Sequence, residues 1–247
     1  MENSRVVGLI PSRLQSSRLP NKPILKIGTY EMVVHVGKRS SLSKRLDEIF
    51  VCTDSREITN ICSVNNIPVI LTSNDHSNGT ERIGEAAKNL GLSDDDIVVD
   101  IQGDEALVDP MVIDRVVNHL HVTGADIVVP YIEITDGSNE NRVKLVESSG
   151  RVLYMTRAAA PYQFFGLGSY KKHLSVIAFK YSALKVFCSS PASPLEKIEG
   201  VELLRAIENG LRVVTYREES ESIAVDTMDD YKQVCKLILR DQYYGKY

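Results

Sequence analysis

No apolar run in this 247-residue chain approaches the roughly 20 residues that cross a bilayer. The opening Met1-Glu2-Asn3-Ser4-Arg5 leads straight into a strand-like segment and lacks the regions of a signal peptide, so a cytoplasmic location without membrane attachment is expected. The four cysteines (Cys52, Cys62, Cys188 and Cys235) form no Cys-x-x-Cys pair, and Cys52 sits inside an apolar run; they read as reduced thiols of core or surface. An excess of positive charge is missing too: the formal net charge of −4 argues against a general nucleic-acid binder, although local basic loops stay open. Neither a Gly-x-Gly-x-x-Gly dinucleotide fingerprint nor a Walker A loop occurs. Repeats, low-complexity linkers and sharp composition shifts are absent, so residues 1–247 are expected to form one domain. The 43% hydrophobic content suffices for a full core, which excludes disorder.

What is present alternates between strand and helix patterns. Strands are expected at residues 5–10, 48–53 and 68–71, with helices at 32–40, from Ser55 to about Asn65, and from Thr80 to Leu90 with Gly91 as the stop. The run Val98-Val99-Asp100-Ile101 is a buried strand, followed by a helix opened by Pro110 and a long strand over 126–134. This βαβα order predicts an α/β fold with a mainly parallel, doubly wound sheet. Residues 143–147 and 151–156 around Ser148-Ser149-Gly150 read as a hairpin, the start of an antiparallel extension over about 140–180. A strand over 173–180, a helix over 196–209 stopped by Gly210, a strand over 212–216 and a helix over 229–240 capped by Thr227 complete the chain.

The apolar run 98–101 ends at Gln102-Gly103-Asp104-Glu105, which delivers Asp104 to the carboxyl edge of the sheet, where open α/β folds bind ligands. Asp226 also follows a short apolar run and precedes a helix. Two carboxylates with phosphate oxygens and water suit magnesium (Mg²⁺), while a cap for the following helix is the plainer role for Asp226. The loop after the first strand carries Arg13, Arg18 and Lys22 among serines and prolines; it can bracket a triphosphate or be a solvated surface loop. Asp94-Asp95-Asp96 precedes its strand, on the wrong edge for a site, and reads as a solvated turn. His119 and His121 fall on different helix faces, which argues against a joint metal site. Tyr243, Tyr244 and Tyr247 read as a frayed or packed tail, and residues 163–170 as a flap or a contact between copies.

Ile10-Pro11-Ser12-Arg13, Ser17-Arg18-Leu19-Pro20-Asn21-Lys22-Pro23, Thr53-Asp54, Asp75-His76, Gly79-Thr80-Glu81-Arg82, Gln102-Gly103-Asp104-Glu105, Tyr154 with Arg157, Lys172-His173-Leu174, Ser193-Pro194-Leu195-Glu196 and Val225-Asp226-Thr227 stand in an order that resembles the 3-deoxy-manno-octulosonate cytidylyltransferases, or CMP-KDO synthetases. The resemblance covers nearly the whole chain. It implies a Rossmann-like sheet, usually in a homodimer, that activates a sugar acid with CTP and Mg²⁺ for lipopolysaccharide, capsule or another glycan. It places Ser12, Arg13 and Lys22, with Arg18 in support, on the CTP phosphates. It puts Gln102 and the segment holding Thr72, Asn78, Gly79 and Arg82 around the cytidine, Asp104 and Asp226 on the metal, and Arg157, His173 and Glu202, with Gln102, around the sugar acid. The implied chemistry is attack of the anomeric hydroxyl on the α-phosphorus with loss of pyrophosphate, assisted by cations and metal.

The chain departs from the family pattern mainly in the acceptor half. The strand His-Leu-Gly-Ile-Tyr-x-Tyr reads His173-Leu174-Ser175-Val176-Ile177-Ala178-Phe179, the usual Glu-Gln-Leu-Arg reads Glu202-Leu203-Leu204-Arg205, and Thr-Arg reads Thr72-Ser73. Prolines after Gly-Asp-Glu and Val-Asp-Thr are replaced by Ala106 and Met228. Losing hydroxyl and amide donors changes which acid a site accepts, so either the acceptor is an acid other than KDO or the changes are drift. A metal-dependent glycosyltransferase and a non-catalytic paralogue are the readings from other classes. The cationic loop argues against the first, and retention of both Asp104 and Asp226 against the second.

Overall fold

The computed structural model describes residues 4–15, 19–166 and 168–247. One side of its main sheet is a run of four parallel strands in the order β5 (Val69–Leu71), β4 (Glu48–Thr53), β1 (Val6–Pro11) and β6 (Ile97–Ile101). Every residue of β6 and the first five of β1 are buried, as a strand covered on both faces requires. Alternation along β1 sorts the core into two layers. Val6 and Ile10 pack with α1 (Met32–Ser40), α2 (Arg56–Val64) and α4 (Pro110–Thr123); Val7 and Leu9 pack with α3 (Gly79–Asn89), α5 (Tyr181–Ser189) and α7 (Leu203–Glu208). This is the doubly wound α/β arrangement expected.

The sheet then becomes antiparallel at its centre, closer to β6 than the 140–180 extension implied. Strand β12 (Val176–Lys180) runs antiparallel to β6, pairing Val176 with Ile101 and Lys180 with Ile97. Next come β7 (Ile127–Val128), β13 (Val213–Val214), β10 (Arg151–Thr156), β9 (Lys144–Ser148), β11 (Tyr170–His173) and β8 (Tyr131–Ile134), for eleven strands in one sheet. A bridge between Tyr131 and Arg217 brings β8 back beside the segment after β13, so these strands curl round on themselves. The expected hairpin is β9 and β10, turned by Ser149 and Gly150 at φ 52° and 77°, the pair of positive φ values of a two-residue turn. A separate two-stranded ribbon joins β2 (Lys26–Ile27) to β3 (Tyr30–Glu31).

Several expected elements are broken or shifted. The strand over 126–134 splits into β7 and β8 at Pro130, which has no N–H for the ladder, and its partner over 173–180 splits at Leu174-Ser175 beside it. The helix over 196–209 is two helices, α6 (Pro194–Glu199) and α7, because Gly200 turns left-handed at φ 62°. Helix α5 was not anticipated; it follows β12 directly and has no side-chain cap at Lys180 to announce it. Helix α3 starts one turn-setting residue earlier than Thr80, with Asn78 accepting from the Glu81 N–H at 2.8 Å. Thr227 does cap the last helix, α8 (Met228–Leu237), in a capping box with Asp230. Asp96 is no solvated turn residue: it is buried and accepts from the backbone N–H groups of Arg5 and Ser93, while Asp94 and Asp95 are exposed. The tyrosine tail is packed, Tyr247 and Tyr243 reaching His35 and Asp109. Among the described residues no helix is long and apolar enough to cross a membrane.

Candidate active site

The carboxyl ends of β1 and β6 lie side by side, and the loops that leave them, with the N-terminus of α3, enclose a cleft of about 880 Å³. The backbones approach closely at two points, the first leaving no room for a Cβ and the second only a tight fit. A Cβ on Gly103 would lie 2.7 Å from the Pro11 carbonyl oxygen, and one on Gly79 would lie 3.2 Å from the Pro11 ring. Ser12 donates its N–H to Cys52 O at 2.9 Å, and its buried hydroxyl has no partner among the described residues. Arg13 lines the cleft and is exposed. Asn78 and Gly79 line it at the start of α3, where free N–H groups and the helix dipole favour an anion. Arg82 is buried and donates to Thr72 Oγ1 at 2.6 Å and Ser73 O at 3.1 Å, with Asp54 at 3.6 Å. Thr72 therefore acts as a support behind Arg82 and does not itself line the cleft, in contrast to its expected place. Arg18 lies outside the described residues.

Lys22 joins this loop to the carboxylates. Its Nζ donates to Asp104 Oδ2 at 2.6 Å and to Asp226 Oδ1 at 3.4 Å. Two carboxylates more than a hundred residues apart thus converge on one cation position, the donor set and geometry that suit a hard oxygen-seeking ion. Among the described residues no cluster of three or more His, Cys, Asp or Glu side chains forms a metal centre. The Asp104 and Asp226 pair could hold a divalent cation only with ligand oxygens or water completing its shell.

A second cleft, of about 810 Å³, adjoins the first and shares Gln102, Asp104 and Glu202 with it. Arg157 and His173 both line this cleft, as do Arg142 and Lys172. Gln102 Nε2 donates to both oxygens of Asp100, at 2.9 and 3.0 Å. Burial, then the nearby Glu202, pushes Asp100 well above the ordinary carboxylate range. Burial also raises Glu202, which accepts from Thr80 Oγ1 at 2.7 Å. Glu105 is pushed up to about 7, first by burial and then by Asp104. His173 is pushed down to about 4 by burial; its Nδ1 lies 3.2 Å from Leu174 O. The contributions of Asp100, Glu105, Arg142 and Lys172 were not read from the sequence. Asp100 was within reach of such a reading, because positions 100 and 102 share one face of a strand. Arg142 sits in an irregular loop with no pattern to announce it.

Known proteins are similar to this chain along most of its length. A family model described as cytidylyltransferase matches residues 7–221. The chain is 35% identical over 233 residues to a 3-deoxy-manno-octulosonate cytidylyltransferase of a Nitratiruptor species, covering 92% of this chain and 97% of the relative. It is 39% identical over 240 residues to the protein of that name from Brucella ovis, covering 93% and 94%, and 37% identical over 243 residues to a mitochondrial one from Arabidopsis thaliana, covering 95% and 83%. Among solved structures, a CMP:2-keto-3-deoxy-manno-octonic acid synthetase complexed with CTP superposes with a TM-score of 0.91 at 27% identity, covering 96% of this chain and 99% of that one. A 4-diphosphocytidyl-2C-methyl-D-erythritol synthase, at 12% identity and a TM-score of 0.69, shares the fold. The chain belongs to the cytidylyltransferase family and, within it, to the 3-deoxy-manno-octulosonate cytidylyltransferases, which are nucleotidyltransferases.

Proposed function

We propose that this protein couples CTP to the anomeric hydroxyl of a 3-deoxy sugar acid, KDO or a close relative, giving the CMP-sugar acid and pyrophosphate. The observation that carries the proposal is the meeting of the two clefts at Asp104, with Lys22 and Asp226 on the same point. CTP occupies the first cleft, its phosphates against Arg13, Lys22, the Ser12 hydroxyl and the α3 N-terminus, its base near Asn78 and Arg82. The sugar acid occupies the second, with Arg157, His173, Glu202 and Gln102 around it. Both substrates are thereby oriented with the reacting atoms at the shared boundary, which supplies most of what phosphoryl transfer asks of a protein. Asp104 and Asp226 would hold Mg²⁺, which when bound lowers the pKa of the attacking hydroxyl and offsets charge on the phosphate. Lys22 then offers its ammonium to the phosphate oxygens, where negative charge spreads in the transition state.

Ser175, Ile177 and Leu203, three of the positions that depart from the family pattern, all line the second cleft. This favours a second reading, the same chemistry on a related acid. Pyrophosphate release from CTP and Mg²⁺ with KDO, an amino-KDO, neuraminic-type acids and buffer alone tests both. Highest catalytic efficiency with KDO rejects the altered acceptor, and silence with every acid rejects the transferase. Asp104→Asn is expected to lower turnover at least a hundredfold while CTP binding persists; full turnover in that variant would remove Asp104 from the chemistry. We further read the chain as one cytoplasmic domain over 1–247 that works as a homodimer. A single sheet drawing strands from both halves supports the first part, and the exposed Tyr162, Phe164 and Phe165 support the second.

A further inference from the structure

Lys144 is a fully buried lysine that forms no direct ion pair among the described residues, although the charges of Glu140, Asp136 and Glu199 act on it from further off. It is 0% exposed, and its Nζ donates to two backbone carbonyls, Asn139 O at 3.0 Å and Arg157 O. Burying an ammonium is costly unless it is paired, and an apolar side chain would fill this strand position without that cost. The carbonyls it holds belong to the two segments that supply the cationic side of the second cleft: residues 139–142, carrying Arg142, and the corner at Arg157. Arg157 ties the same segments from the other side. Its Nη1 donates to Glu140 O at 2.9 Å, while Nε and Nη2 donate to Glu199 O and Gly200 O at 2.9 and 3.1 Å. Glu199 fixes the corner further, accepting from Arg157 N at 2.9 Å and Thr156 Oγ1 at 2.8 Å. Across the sheet Lys144 pairs with Thr156 on one side and Lys172 on the other, so it stands between the strands that present Arg157 and Lys172.

The same cleft is lined by Asp100, Asp104, Glu105 and Glu202, and by Glu221, which pairs with Lys172. An anionic acceptor can enter only if the cations are held at a fixed distance from those carboxyl groups. We propose that Lys144 is a positioning residue for acceptor recognition, holding the Arg157 corner and the Arg142 loop together so that they receive the carboxylate of the sugar acid. The inference rests on the transferase reading above and concerns the acceptor side alone.

Full-length Lys144→Met and Lys144→Arg test it, by initial rates of pyrophosphate release with KDO or CTP varied in turn and by calorimetric CTP binding without acid. Lys144→Met is expected to raise the KM for KDO about ten- to a hundredfold, as loss of a supporting contact or a shift near 1 Å does. The KM and Kd for CTP should stay within about twofold, and Lys144→Arg, which keeps charge and donors but carries a larger, planar head group into a buried site, should recover part of the loss. An unchanged KM for KDO in Lys144→Met, or a fall in kcat with both KM values unchanged, would overturn the proposal. Should Lys144→Met not fold, Glu199→Gln loosens the same corner, and the same selective rise is expected; a rise in the CTP KM instead would count against us. A wild-type protein silent with every acid refutes the transferase reading, whereas an active wild type with insensitive variants refutes this proposal alone.

Discussion

Gly103→Ala is the sharpest probe of how the sheet edge sets the first cleft. An added Cβ would lie 2.7 Å from the Pro11 carbonyl oxygen and 3.6 Å from Ile10 Cγ2. The first neighbour is backbone, so no rotamer change can relieve it, and either the end of β1 or the Gly103 turn must retreat. Over-packing of this kind costs about 1–3 kcal/mol. At roughly 2–4 °C per kcal/mol for a chain of this size, Tm should fall by about 2–12 °C. The displaced backbone carries Ser12 on one side and Asp104 on the other, so activity should suffer more than stability: catalytic efficiency with CTP is expected to drop about ten- to a hundredfold. Gly91→Ala is the control. Gly91 has φ 67° with nothing within 4 Å of the added Cβ. It should lose about 1–2 kcal/mol to backbone strain and keep its activity. Thermal melts, urea titrations and pyrophosphate release together decide the matter. A Gly103→Ala enzyme with wild-type Tm and CTP kinetics would show that the loops do not meet as described.

Two further outcomes follow from buried charge. Arg205 grips Glu196 with two bonds of 2.8 and 2.6 Å and reaches Glu81 at 3.1 Å, so Arg205→Met should cost about 3–5 kcal/mol by stranding Glu196. Urea unfolding checks this, and a loss below about 1 kcal/mol would mean that Glu196 is not desolvated. His173 has its folded pKa pushed down to about 4, below the ordinary histidine value, so the unfolded chain binds the extra proton in between. Its contribution to stability is complete above about pH 6.5 and disappears as pH falls toward about 4. His173→Gln should flatten the fall of Tm across that window; an unchanged slope would mean that His173 stays hydrated.

Legibility of the fold followed local signals. The parallel half was readable because β1 and β6 are continuous apolar runs and because Ser55 and Gly91 mark helix ends. The second half was misread wherever one residue overrode a longer pattern: Pro130 within an apolar run and Gly200 within a helical one. Helix α5 begins directly at the end of β12, with no cap to separate the two. Asp96 was misjudged because its neighbours Asp94 and Asp95 are exposed, while its own carboxylate turns inward to two N–H groups. Asp104, Asp226 and Lys22 were legible as separate chemical hints, but only folding could place all three within a few ångströms. Arg157 was legible through resemblance alone, and nothing in its neighbourhood of sequence reveals the Lys144 and Glu199 clamp, whose members come from three separate elements.

The charge pattern of the joined clefts resolves an apparent contradiction. Besides Asp230 and Glu221, the latter paired with Lys172, a site for two anionic substrates is lined by five carboxyl groups: Asp100, Asp104, Glu105, Glu202 and Asp226. Were all five fully ionised, the acceptor acid would be repelled as it approached the α-phosphate. The carboxyl groups divide into two kinds. Asp104 and Asp226 face Lys22 and are the pair able to share a cation. Asp100 and Glu105 are buried and Glu202 is half-buried, and desolvation raises all three above the ordinary carboxylate range. Negative charge is therefore concentrated where a cation can offset it and weakened beneath the acceptor. Arg142, Arg157 and Lys172 line the same cleft, Lys172 paired with Glu221; on the proposed reading they would receive the carboxylate of the sugar beside a triphosphate. On the proposed reading, acceptor binding would draw on the raised carboxyl groups as well as on the cations that line the cleft with them.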